Sequence, residues 1–270
     1  MKNLSTMSLS QLQDIKYVLT DIDDTLTSDG KLKSNAYEAM ERLSKHGYKV
    51  IPVTGRCAGW CDHIARMWPV DGVVGENGAF FFSYDHDNKK MNNLFSQTED
   101  ERRENYTLLN QIKNTILESV PGTAEASDQE YRITDLAIDF AEDVPKLSKS
   151  KVNEIVSIAE QNGAIAKISS IHVNCWIGSH TKLTTSVQIL KENFELNDSE
   201  IQNRVVFIGD SPNDSTMFGF FNNSVGVANV LDMIDSIENP PKYITTEFSG
   251  NGFVELADLI INKKIKSQNL

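Results

Sequence analysis

Three carboxylates and a hydroxyl follow one another closely in Asp21-Ile22-Asp23-Asp24-Thr25, directly after the apolar run Tyr17-Val18-Leu19-Thr20. The run reads as a short buried strand, and the carboxylates sit where it ends. Side chains alternate along a strand, so Asp21 and Asp23 project from the same side if strand geometry persists that far. Two such carboxylates can hold a divalent cation, and one can attack while the other moves a proton. The same composition also makes ordinary turns, because Asx side chains bond their own backbone and end strands. This stretch alone leaves both readings open.

Polar groups recur at other strand ends. Tyr48 to Val53 reads as a buried strand ending in Thr54-Gly55-Arg56, and Arg204 to Ile208 as another ending in Gly209-Asp210-Ser211-Pro212-Asn213-Asp214. Between them in sequence, Lys182 opens a helix carrying Leu183, Val187 and Leu190. Mg²⁺ prefers hard oxygen ligands and keeps waters and phosphate oxygens in its shell. Asp21 and Asp210, on different strands, can supply such ligands. A metal, a carboxylate nucleophile, a second carboxylate, a hydroxyl and a lysine together suit phosphoryl transfer through an aspartyl-phosphate. The transferred group is strongly anionic, and metal, lysine and backbone N–H groups offset its charge. Singly, Thr54 reads as a strand-end hydroxyl and Lys182 as a solvated helix start. Only the combination points to a site.

The elements around these residues follow from periodicity and punctuation. Ser34 or Asn35 is expected to cap a helix from Ala36 to His46, stopped by Gly47. Strand, helix, strand makes a βαβ unit, so Thr54 emerges at the same sheet edge as Asp21. A helix is expected over Trp60–Met67 and a strand over 70–74. Gly75-Glu76-Asn77-Gly78-Ala79 lacks the dinucleotide-binding spacing and reads as a turn into a hairpin at Phe80-Phe81-Phe82. The polar stretch Tyr84 to Asn93 suggests a boundary. Beyond it come an amphipathic helix over Thr98–Glu118 with Tyr106, Leu109, Ile112 and Ile116 inward, and a strand within Tyr131–Phe140. A helix over Lys146–Asn162 and two strands in Ala164–Ile177 about a turn at Ser169-Ser170 complete this unit. A short helix from Ser215 to Phe221, strands at Ser224–Val227 and Tyr243–Thr245, a closing helix Val254–Asn262 and a polar tail from Lys263 to Leu270 end the chain. The expectation is an α/β protein: a Rossmann-like, doubly wound parallel-sheet core from 1–83 and 178–270, with a smaller α/β unit, 84–177, inserted.

Composition narrows the partners. The chain has 270 residues, and 26 Lys+Arg against 38 Asp+Glu leave a net charge of -12. That disfavours nucleic acid and anionic membranes, which attract basic surfaces. An anionic small substrate stays compatible, since a bound metal reverses the local field. Cys57, Cys61 and Cys175 match neither a disulfide framework nor a zinc site, so reduced thiols in a cytoplasmic protein are expected. The segment Met1 to Gln13 lacks a signal-peptide apolar core, and no apolar stretch approaches the ~20 residues that span a bilayer.

Asp21-Ile22-Asp23-Asp24-Thr25, Thr54-Gly55-Arg56, Lys182 and Gly209-Asp210-Ser211-Pro212-Asn213-Asp214 resemble, in order, the four motifs of the haloacid dehalogenase superfamily. The long insertion after the second motif resembles its Cof-type, sucrose-phosphatase-like branch, which implies a mobile α/β (C2-type) cap. The resemblance implies that Asp21 is the nucleophile and Asp23 the acid and base, with its carbonyl on Mg²⁺. It also implies that Thr54, Gly55, Arg56, Lys182 and Asn213 contact the phosphorylated substrate, that Lys182 orients Asp21, and that Asp210 and Asp214 serve the metal. Two departures stand out: Asp24 where Gly is common, and Leu183 where a small residue is common. In the cap, Arg132, Asp135, Asn174 and Trp176 are candidates to face substrate; His63, His172 and His180 read as structural or exposed. The expected function is a Mg²⁺-dependent phosphatase on a small sugar or polyol phosphate. A sugar phosphomutase and a catalytically silent binding protein are the rivals.

Overall fold

The computed structural model describes residues 1–169 and 171–268, with side chains to Asn262. Its centre is a six-stranded parallel sheet. Across the sheet the strands run Lys2–Asn3, Tyr243–Ile244, Asn223–Gly226, Val205–Gly209, Tyr17–Thr20 and Lys49–Pro52. From Tyr17–Thr20 the chain passes outward to one side through Lys49–Pro52 and returns to build the other side from Val205–Gly209. The strand order therefore reverses between Tyr17–Thr20 and Val205–Gly209, and ligands bind at the carboxyl ends of strands at such a switch point.

Both sheet faces are covered, which explains why the strands read as continuous apolar runs. Alternation assigns Val18, Val50, Val206 and Ile208 to one apolar cluster and Leu19, Ile51, Val205 and Phe207 to the other. Helices Ser34–Lys45, Ala58–Met67 and Ser249–Gln268 cover the first face; Lys182–Glu192, Asp198–Arg204 and Ser215–Phe220 cover the second. Phe207, Phe218 and Phe221 pack together almost without exposure. Burial of each such side chain contributes roughly 1.5–3 kcal/mol.

The inserted unit is a four-stranded antiparallel sheet ordered Ile165–Ile168, His172–Trp176, Asp135–Asp139, Ala124–Glu125. Helices Glu99–Ser119 and Lys149–Gln161 lie on one face, with Leu109, Ile112, Ile116, Val152 and Ile155 against Leu136, Ile138, Val173 and Cys175. The alternate residues Asp135, His172, Asn174 and Trp176 are buried as well, so a polar face of this sheet is also covered.

Several expectations are corrected. The strand expected over 70–74 is Val73–Gly75, and the one expected within Tyr131–Phe140 is Asp135–Asp139, preceded by a 3-10 turn Gln129–Tyr131. The polar stretch Tyr84 to Asn93 is no break: Phe80–Asp85 and Lys90–Phe95 form a six-residue paired hairpin that also pairs with Val73–Gly75. Its polarity reflects a projecting tip, while Phe80, Phe82 and Phe95 pack into the core. Tyr106 is exposed, unlike Leu109, Ile112 and Ile116 on the same helix. Helix Ser34–Lys45 starts after Lys33 with no side-chain cap. The closing helix, Ser249–Gln268, is longer at both ends than expected. Helices Leu9–Asp14 and Asp198–Arg204 were not anticipated, although each carries a reciprocal capping box, Ser8 with Gln11 and Asn197 with Glu200. Ser170 of the expected turn, and Asn269 and Leu270 of the polar tail, lie outside the described residues.

Candidate active site

The strand Tyr17–Thr20 stops at Thr20, and both readings of the Asp-rich stretch hold at once. The Ile22 carbonyl accepts the N–H groups of Thr25, Leu26 and Thr27 at 3.3, 2.9 and 2.9 Å, which is the turn. Register sets Thr20 opposite Ile208 and Pro52, and Asp21 N–H reaches on to Ile208 O at 2.9 Å. Asp21, Thr54 and Asp210 therefore leave neighbouring strands at one edge. Asp24 takes a left-handed backbone, φ 57°, which explains why glycine suits that position. Its N–H donates to Thr27 Oγ1 at 3.0 Å and its carbonyl accepts Asn229 Nδ2 at 3.0 Å.

Lys182 lies at the middle of the constellation. Thr181 caps its helix reciprocally with Thr184, fixing where the helix begins. Nζ donates to Asp21 Oδ1 at 2.7 Å and to Asp214 Oδ1 at 2.8 Å, all three side chains being buried. Asp214 folds back so that Oδ2 accepts Asp210 N–H at 3.2 Å and Ser211 N–H at 3.4 Å. A Cβ on Gly209 would stand 2.4 Å from that oxygen. Both oxygens of Asp214 thus accept hydrogen bonds, which tie Lys182 to the Asp210 loop. Asp210 Oδ1 accepts Thr25 Oγ1 at 3.0 Å.

The electrostatics invite a cation. Ligand oxygens of Asp21, Asp210 and Asp214 all lie within 4.8 Å of one another. Three buried carboxylates face one ammonium, so full ionisation would leave a surplus of negative charge. Burial, opposed by Lys182 and reinforced by Asp214 and Asp23, pushes the Asp21 carboxyl up to about 7. Burial, Asp21 and Asp214 likewise raise Asp210 well above the usual carboxylate range. Burial works against the Lys182 charge, but Asp21 and Asp214 outweigh it and hold the lysine above its ordinary value. Hard oxygen donors with surplus negative charge fit Mg²⁺, with Asp21, Asp210 and Asp214 the side chains that could hold it.

Asp23 lines the same cavity as Asp21 and Asp210 and is held by a guanidinium fork. Arg56 Nε donates to Asp23 Oδ2 at 2.9 Å and Nη2 to Oδ1 at 2.8 Å. The guanidinium stacks 4.5 Å over Trp60, and Nη1 lies 3.6 Å from Glu142 of the inserted unit. Glu142 Oε2 is 2.9 Å from His172 Nε2, and burial lowers that histidine's pKa. Thr54 is fully buried, and its hydroxyl accepts Arg56 N–H at 3.0 Å. Asp21, Asp23, Gly55, Arg56, Asp210, Ser211 and Asn213 from the core, with Arg132, Ser169, Ile171, His172 and Asn174 from the inserted unit, line one cavity of about 30 Å³. Thr54, Lys182 and Asp214 stand behind that wall. Asn213 Oδ1 accepts Ser211 Oγ at 2.7 Å and lies 3.5 Å from Lys182 Nζ.

Of the other candidates, Asp135 pairs with Arg132 at 2.9 Å, and Trp176 Nε1 donates to His180 O at 3.0 Å. His180 is buried against Trp176, and His63 is exposed. Leu183 packs into the apolar cluster under its helix. All three cysteines are free and buried, and burial pushes Cys57 up to about 11 and Cys175 up to about 12, which disfavours the nucleophilic thiolate. Sequence reasoning passed over Glu76, Gly78 and Glu142. Gly78, at φ 105°, lets the turn pass the start of the lysine helix: a Cβ there would lie 2.1 Å from Thr181 O. A signal for it was present in the run Gly75-Glu76-Asn77-Gly78, which is richer in glycine than a hairpin entrance needs.

The family model described as haloacid dehalogenase-like hydrolase matches residues 18–120. The resemblance drawn from the motifs is borne out at the level of family and fold. Over 91% of this chain and 96% of its own length, the phosphoglycolate phosphatase of Methanosarcina mazei is 28% identical. A crystal structure from Thermoplasma acidophilum superposes with TM-score 0.70 at 18% identity, covering 92% of this chain and 98% of that one. The sucrose-phosphatase of Synechocystis, solved with sucrose and phosphate, gives TM-score 0.63 at 14% identity, covering 92% and 98%.

Proposed function

We propose that this protein is a Mg²⁺-dependent phosphomonoester hydrolase acting on a small sugar or polyol phosphate through an aspartyl-phosphate. The observation that carries the proposal is the buried Lys182 bridging Asp21 and Asp214 beside Asp210, at the point where the strand order reverses. Mg²⁺, when bound by Asp21, Asp210 and the Asp23 carbonyl, would supply charge neutralisation for the phosphoryl oxygens. Asp21 attacks phosphorus, forming the Asp21–phosphorus bond as the bond to the leaving oxygen breaks. Asp23 gives that oxygen its proton. Asp23 then takes a proton from water as the water attacks phosphorus, and Asp21 is released with inorganic phosphate. Lys182 fixes the Asp21 rotamer and offsets charge, and Arg56 fixes Asp23. Gly55 and Asn213, which line the cavity, and Thr54 just behind it would bond phosphoryl oxygens.

The inserted unit, with its polar face toward the cavity, serves as a cap that reads the leaving group. We place its limits near residues 97 and 177, since the hairpin to Phe95 pairs with the core. Buried, unpaired thiols suit a reducing, cytoplasmic setting. Among the described residues no helix is long and apolar enough to cross a membrane.

The test is phosphate release across a panel of phosphomonoesters with Mg²⁺. The panel includes hexose and polyol phosphates, and phosphoglycolate because of the Methanosarcina relative's name. Activity is expected with the wild type, and its loss with Asp21→Asn and with chelator. Retained turnover in purified Asp21→Asn protein removes Asp21 as the nucleophile.

A further inference from the structure

Glu76 is a fully buried carboxylate at the seam between core and cap. Every partner it has is a donor. Oε1 accepts Ala58 N–H from the core at 2.9 Å and Ile133 N–H from the cap at 3.0 Å. Oε2 accepts Thr134 N–H at 2.7 Å and also the Thr134 hydroxyl. A carboxylate is acceptor-only and meets this set in full; a carboxamide would turn its NH₂ against N–H groups. The backbone is bent to deliver the side chain, with left-handed φ of 42° at Glu76 and 56° at Asn77. Such a conformation persists only where surroundings over-determine it. Here Glu76 N–H is tied to Arg56 O at 3.1 Å and Asn77 N–H to Thr54 O at 3.1 Å. The same seam carries Arg132 Nη1 donating to Gly55 O at 3.0 Å, and Tyr131 packed against Gly59.

We propose that Glu76 is a positioning residue that seats the cap segment 131–135 on the core loop 54–58 and thereby limits the size of the leaving group. The inference rests on the phosphatase reading for its second half only. The cavity between core and cap, about 30 Å³, has room for one or two waters. The cap must therefore shift for any substrate, and the bonds at Glu76 set how far. Weakening them opens the seam to bulkier phosphomonoesters while loosening the fit around small ones.

Two measurements separate the halves. In hydrogen exchange on the wild type, Glu76→Gln and Thr134→Val, amides of residues 131–135 are expected to exchange at least tenfold faster in Glu76→Gln, and faster to a lesser degree in Thr134→Val. Exchange unchanged in both variants overturns the seating role whether or not the protein is a phosphatase. In parallel, kcat/KM is compared for phosphoglycolate and for a disaccharide monophosphate. The small-to-large ratio is expected to fall at least fivefold in Glu76→Gln, with the drop on the small substrate mainly in kcat. Equal losses on both substrates, as general destabilisation would give, overturn the size limit. An inactive wild type with faster exchange in the variants refutes the phosphatase reading and the size limit, while upholding the seating role.

Discussion

Lys182→Met keeps the length of the side chain and removes its charge. In the native protein Nζ lies 2.7 Å from Asp21 and 2.8 Å from Asp214, with side-chain exposures of 3%, 7% and 0%. The variant leaves three buried carboxylates with no ammonium among them. Removing one partner of a buried, hydrogen-bonded ion pair costs about 3–5 kcal/mol, because the other partner stays buried and charged. Lys182 is also the main influence holding the Asp21 carboxyl down, so that carboxyl rises above about 7 in the variant. The sign follows from linkage. A carboxyl raised in the folded state favours folding below its unfolded value of 3.8 and loses that contribution as pH climbs through the folded value. The penalty of the substitution is therefore largest at high pH. In metal-free buffer, urea unfolding followed by tryptophan fluorescence should show the variant less stable by about 3–5 kcal/mol at pH 8, with the gap shrinking at pH 5. Equal stability of variant and wild type at pH 8, or a gap that does not change with pH, refutes the reasoning.

On the proposed function, Mg²⁺ should raise the melting temperature more as pH rises, because Asp21 and Asp210 would hold it in their ionised form. With ligand at a hundred times its dissociation constant the gain is about 2.7 kcal/mol at pH 8, and scanning fluorimetry at pH 5 should show little of it. Equal shifts at both pH values count against these carboxylates as the ligands. Gly78→Ala places a Cβ 2.1 Å from the Thr181 carbonyl oxygen, and the expected loss is about 2–4 kcal/mol, with turnover falling because the displaced helix carries Lys182. Gly30→Ala, where a Cβ meets nothing within 4 Å, is the control; urea curves separating the two by less than about 1 kcal/mol would contradict the close approach.

What was legible in the sequence was the part that depends on local order. Apolar runs ending in Asp21, Thr54 and Asp210 could be read because parallel strands buried on both faces are continuous in sequence, and each ends in its own polar group. The family resemblance then implied roles for these residues, and the structure brings Lys182 to Asp21 and Thr25 to Asp210. What escaped was set by distant partners. Asp23 meets Arg56, 33 positions away, and Glu76 meets Thr134, 58 positions away; a single chain read in order carries no sign of either pairing. The hairpin tip at Tyr84 to Asn93 misled because polarity marks solvent, and solvent surrounds a projecting strand pair as it does a linker. Helices Leu9–Asp14 and Asp198–Arg204 escaped for a different reason: each is under two turns, too short for its periodicity to show, and only the capping boxes marked them.

The order of strands in the central sheet has a consequence for how this chain is made. Val205–Gly209 lies between Tyr17–Thr20 and Asn223–Gly226, yet it is synthesised almost two hundred residues after its first neighbour. Until it leaves the ribosome, Tyr17–Thr20 has one partner strand and an open edge. The apolar residues of the inserted unit, in contrast, fall within one continuous span from Leu109 to Cys175 and meet one another first. The inserted unit is therefore expected to fold first, with the strands of the central sheet assembling around it afterwards. Limited proteolysis of ribosome-held chains stopped before residue 205 should leave the 97–177 segment protected and the first 80 residues cut; the reverse pattern would reverse that order.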